Sequence, residues 1–76
     1  MGKQDDQDRY KAIGKRIKEL RLKAGYSSLE TFANEHDLSR RNYWRLESGG
    51  NFKMSTLFRI LEIHKIPLEA FFKGLM

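Results

Sequence analysis

The chain has 76 residues, with fifteen lysines and arginines against ten acids and a formal charge of +5. That is one small domain burying roughly 60–65% of its unfolded surface, so every apolar stripe is committed to a single core. The absence of cysteine excludes disulfides, thiolate metal sites and cysteine nucleophiles, and no apolar run approaches the ~20 residues that span a bilayer.

Residues 1–7 are polar, acidic and aperiodic, and read as a disordered lead-in, leaving 8–76 as the folded domain. From about Asp8, the residues Tyr10, Ile13, Ile17, Leu20 and Ala24 recur at helical spacing, with Gly25 as a stop. Lys11, Lys15, Lys18 and Lys23 take the opposite side. Gly14 lies inside this helix at a cost of ~1 kcal/mol relative to alanine, which suggests a neighbour that approaches closely. Ser27 and Ser28 offer two overlapping N-caps for a second helix, Ser27 through a capping box with Glu30 and Ser28 one residue later. Its apolar stripe is Leu29, Phe32, Ala33 and His36, and Asp37-Leu38 is a tight connection onward.

Residues 38–49, Leu-Ser-Arg-Arg-Asn-Tyr-Trp-Arg-Leu-Glu-Ser-Gly, read as a third helix capped by Ser39 and stopped by Gly49. At 100° per residue, Arg40, Trp44, Ser48, Arg41 and Arg45 share a face about 140° wide, and Tyr43 and Leu46 take the other. Arg40 and Arg41 then stand in the first turn, where the macrodipole favours acids by ~0.3–1 kcal/mol per charge. Cations placed there without a local partner point to an anion from outside. Gly49-Gly50-Asn51 is the strongest turn signal of the chain. Met54, Leu57, Ile60, Leu61 and His64 fit a fourth helix, and Pro67 suits the first turn of a fifth, with Leu68, Phe71, Phe72 and Leu75 facing inward. No period-two alternation appears, so the fold expected is all-α: a compact five-helix domain.

Two helices joined by about three residues form the skeleton of a helix-turn-helix, whose second helix enters the major groove and offers its N-terminal residues to base edges. Arg40 and Arg41 occupy that end. Arginine pairs bidentately with guanine O6 and N7. Arg45, one turn later, reaches a base or the flanking phosphate. Trp44 shares that face, suited to a thymine methyl or deoxyribose, with packing on the Asn51–Lys53 loop as its alternative. His36 and His64 are distant in sequence and lack a ligand cluster, so they read as half-buried helix residues and no metal site is expected.

Ile13-Gly14 through Arg21, Phe32-Ala33, Leu38-Ser39-Arg40 and Leu46-Glu47-Ser48-Gly49 resemble the phage repressor/Cro-type helix-turn-helix family, often called XRE-like. The resemblance covers about residues 13–72. It implies a five-helix repressor-like DNA-binding domain in transcriptional control, usually a dimer on a roughly two-fold operator. By this resemblance Arg40, Arg41 and Arg45 fall at base-reading positions. Ser27 or Ser28 falls where the family grips a phosphate, and Asn51 to Lys53 where it grips another. Arg21 and Glu47 match a buried ion pair tying the first helix to the third. The chain departs from the family in having Asp37 where glycine is usual in the inter-helix turn, Ser28 or Leu29 where glutamine often begins helix two, and Phe52 or Lys53 where proline is common.

The function expected is sequence-specific binding of double-stranded DNA, as a homodimer in the cytoplasm, with no cofactor and no membrane. The alternative is an antitoxin-like protein-binding module of a toxin–antitoxin pair that also binds its own promoter. An enzyme is not expected, for the sequence holds no phosphate-cradling glycine loop, no nucleophile–base arrangement and no plausible carboxylate pair in a pocket.

Overall fold

A computed structural model describes residues 2–75, with side chains from residue 7 onward. Five helices follow in order: α1 (Gly2–Lys23), α2 (Leu29–Glu35), α3 (Arg40–Glu47), α4 (Met54–His64) and α5 (Leu68–Lys73). No strand occurs among the described residues, and none of the described helices is long and apolar enough to cross a membrane.

The first helix begins six residues before the start that periodicity gives. Of the lead-in expected at 1–7, Met1 lies outside the described residues, and from Gly2 onward the backbone is helical. A helix extending past its core contacts carries no apolar stripe there, and residues 2–7 contain neither proline nor a β-branched residue to stop it. At 1.5 Å per residue, α1 is roughly 33 Å long, and it accounts for most of the 39 Å long axis of a molecule only 24 × 21 Å across.

Ile13 and Ile17 of α1, Phe32 of α2, Tyr43 and Leu46 of α3, Leu57, Ile60 and Leu61 of α4 and Phe71 of α5 make one core. Gly14 brings α1 and α3 together. A Cβ there would stand 2.6 Å from the carbonyl oxygens of both Leu46 and Glu47, so only glycine admits the α3 backbone. The helix caps are local. Ser28, not Ser27, caps α2, its Oγ accepting from the Thr31 N–H at 3.2 Å. Ser39 caps α3 likewise from the Asn42 N–H at 3.2 Å. Between them Asp37 takes a left-handed φ of 58°, a conformation that aspartate tolerates better than most residues. The backbone returns through a 2.8 Å bond from the Leu38 N–H to the Ala33 carbonyl. Gly49, at φ 89°, ends α3, and Gly50 N–H reaches back to the Arg45 carbonyl at 2.9 Å.

Three sequence expectations are corrected at helix ends. Pro67 is the N-cap of α5 rather than part of its first turn. Met54 and Leu68, assigned to core stripes, are 47% and 41% exposed. Each is the first residue of its helix, where the stripe runs past the edge of the core.

Candidate nucleic-acid interface

The surface of interest is set by what α3 buries. Tyr43 and Leu46 are fully enclosed, and that fixes the rotation of the helix about its axis. Arg40, Arg41, Trp44 and Arg45 consequently face outward, with Trp44 57% exposed. A shallow groove between α2 and α3 is lined by Leu29, Glu30, Arg40, Arg41 and Trp44. Arg45 lies further along α3 and is exposed, its carbonyl accepting from the Gly50 N–H at 2.9 Å. Ser48, on the same face, turns its hydroxyl back to donate to the Trp44 carbonyl at 2.6 Å.

The angle of α3 is braced from beneath. The Arg21 guanidinium of α1 donates from Nε to Glu47 Oε2 at 2.7 Å and from Nη2 to Oε1 at 3.2 Å. Both side chains are nearly enclosed, at 5% and 7% exposure. A third bond, from Nη1 to the Tyr26 carbonyl at 2.8 Å, ties the α1–α2 connection to the same centre. Arg21 thus links α1, the turn and α3. The Glu47 carboxylate holds the guanidinium still more firmly protonated than usual, against the opposing effect of burial. The Tyr43 hydroxyl is buried beside this pair with no hydrogen bond of its own among the described residues. Burial first, then the Glu47 carboxylate, pushes its phenol well above the ordinary range.

The arginines are not equivalent, and one expectation changes here. Arg40 was expected without a local partner at the positive end of α3, yet its Nη1 donates to Glu30 Oε2 on α2 at 2.8 Å. Both side chains of that pair are more than three-fifths exposed. Arg41 and Arg45 have neither hydrogen bond nor ion pair among the described residues. The uncompensated first-turn cation is Arg41 alone. Glu30 escaped the sequence reading because ten residues and a helix break separate it from Arg40; its spacing suggested only a capping box with Ser27.

The remaining candidates flank this face in sequence. Ser27 and Ser28 are exposed before α2, and the Ser28 hydroxyl oxygen is already engaged in capping. Asn51 is exposed in the α3–α4 connection, and Lys53 is the exposed N-cap residue of α4 with no side-chain cap bond. Phe52 between them is half-buried and packs edge-to-face on Tyr10 of α1, with ring centroids 5.7 Å apart. That contact pins the connection while leaving Asn51 and Lys53 outside. Arg59 of α4 donates from Nη2 to the His36 carbonyl at 3.1 Å, which ties α4 to the end of α2.

Chemically, α3 presents a fork of planar, permanently charged donors around one exposed aromatic ring, suited to oxygen and nitrogen acceptors on an anionic partner. Among the described residues no group of three or more histidine, cysteine or acidic side chains is placed to hold a metal. Comparison with known protein families, curated proteins and solved structures returns no match for this chain.

Proposed function

We propose that the protein is a sequence-specific double-stranded DNA-binding regulator of transcription, in which α2 and α3 act as a helix-turn-helix and α3 enters the major groove. The observation that carries this reading is the exposed cationic face of α3, held at a fixed rotation by buried Tyr43 and Leu46 and at a fixed tilt by Arg21–Glu47. In this reading Arg40 and Arg41 read base edges, and Arg45 reads a base or grips the adjacent phosphate. Trp44 packs on a thymine methyl or sugar. Ser27, Ser28, Asn51 and Lys53 grip phosphates on either side, which positions the helix without reading sequence. The family resemblance adds the expectation of a homodimer on half-sites about 34–36 Å apart.

The test is selection of bound duplexes from a random pool, followed by titration of the selected and scrambled duplexes. A two-fold consensus bound well above the scrambled sequence supports the reading. Equal affinity for both sinks it.

One observation favours the second reading, an antitoxin-like module that needs a protein partner. Phe58 and Leu68 are 47% and 41% exposed and line one groove between α4 and α5, with Met54 one turn before Phe58. Large apolar side chains gathered on one face of a small domain suit a protein contact. Sedimentation of the wild type and of Phe58→Ser separates the readings: a concentration-dependent dimer that the substitution abolishes assigns that face to a second copy. A strict monomer that shifts its promoter only with a co-expressed neighbour favours the antitoxin-like reading.

A further inference from the structure

Glu30 is an acid standing in a surface otherwise built for an anion. It shares the α2–α3 groove with Leu29, Arg40, Arg41 and Trp44, and its Oε2 accepts from Arg40 Nη1 at 2.8 Å. No other guanidinium of the α3 face is held in this way. The bond engages Nη1 alone, so Nε and Nη2 of Arg40 remain available as a pair of parallel donors.

From this geometry we infer that Glu30 is a specificity-determining residue, acting through Arg40. The inference rests on the proposed binding of duplex DNA and says which residue sharpens it. Two effects of one carboxylate converge. Glu30 restrains the Arg40 side chain with one edge still open, so less rotamer freedom is lost when that edge meets the acceptor pair of a guanine. The same negative charge opposes phosphates lying against the groove, and a complex held by phosphates alone gains nothing from Arg40 in return. The repulsion falls on matched and unmatched sequences alike, whereas only a matched one draws on the restrained Arg40, so the restraint widens the ratio while the charge lowers both affinities. Glu30 lowers affinity for all DNA, and most for the wrong DNA.

The experiment compares wild type, Glu30→Gln, Arg40→Ala and the double variant on selected and scrambled duplexes across a salt series. Both residues are exposed, and thermal melts verify that the variants fold. Glu30→Gln is expected to strengthen scrambled binding at least ~3-fold, to strengthen selected binding less, and so to narrow the ratio. In the Arg40→Ala background the same change should raise both affinities alike and leave the ratio where it stood. An unchanged ratio in Glu30→Gln overturns the inference, as does an equal narrowing with and without Arg40. Wild type that does not distinguish the two duplexes overturns the underlying DNA reading itself, a result separable from either.

Discussion

Gly14 shows how one residue can carry a packing geometry. Alanine is better than glycine in a helix by ~1 kcal/mol, yet its Cβ would lie 2.6 Å from two α3 carbonyl oxygens. Both are backbone atoms, so relief requires moving α1 away from α3, and overpacking of this kind costs ~1–3 kcal/mol. Gly14→Ala is therefore expected to lower stability in urea denaturation despite its higher helix propensity, and a stabilised variant would contradict the close approach. Arg21 makes a parallel case in charge. Its side chain is 5% exposed and relies on Glu47 as its carboxylate partner. Glu47→Ala leaves a buried cation uncompensated, a loss of roughly 3–5 kcal/mol. Replacing both partners together, Arg21→Met with Glu47→Leu, should recover much of that stability, as a double-mutant cycle in urea would show.

At the scale of elements, the ring stack between α2 and α4 supplies a pH dependence. His64 lies parallel to Phe32, with centroids 5.5 Å apart and planes 6° from each other. Its Nε2 is buried without a partner among the described residues. Burial first, and the neighbouring His36 second, lowers its pKa from the usual 6.5. The native state thus favours the neutral ring, and the unfolded chain takes up the proton first as pH falls. The associated stability is present above 6.5 and is lost between 6.5 and the lower native value. The urea midpoint should therefore drop between about pH 7.5 and about pH 5.5, and drop less in His64→Gln. An equal drop in both proteins would place the dependence elsewhere.

The elements also show what was legible in the sequence. Phe32, Leu46, Leu57 and Ile60 stood out because a 3.6-residue period marks any face pressed on a core, and Ser39 and Gly49 marked the ends of α3 by local chemistry. The start of α1 was hidden because a helix beyond its packing partners has no apolar stripe to announce it. Lys65, at φ 57° after α4, was equally silent, since that conformation is signalled by glycine or asparagine and not by lysine. Arg21 carries no local sign of burial, and its pairing with Glu47 came from the family resemblance. Of the candidate surface, the outward face of α3 was readable from angular position alone. The Glu30–Arg40 contact was not, because it depends on how α2 and α3 pack across a turn.

For the whole molecule, the formal charge of +5 understates how the charge is placed. Asp5, Asp6 and Asp8 lie near the chain start, whereas residues 39–59 hold Arg40, Arg41, Arg45, Lys53 and Arg59 against Glu47 alone. That segment is more basic per residue than the whole chain, although Glu30 offsets Arg40 across the α2–α3 groove, and the affinity of an anionic partner for it should depend on salt. If each subunit neutralises some five phosphates, log affinity per subunit falls against log salt with a slope of roughly −4 to −5. The roles within that total are separable. On the proposed reading Lys53 grips a phosphate, so Lys53→Ala should weaken binding alike on selected and scrambled duplexes while the slope becomes shallower by about one. Arg41→Ala removes the first-turn cation of α3 that has no partner among the described residues, and on the proposed reading it should lose ~1–3 kcal/mol of discrimination at a single base pair. Titration of both variants on both duplexes at several salt concentrations decides the matter. Matching losses from the two substitutions on every sequence would mean that α3 touches only the DNA backbone, and its arginines would then be a general anion surface with no base-reading role.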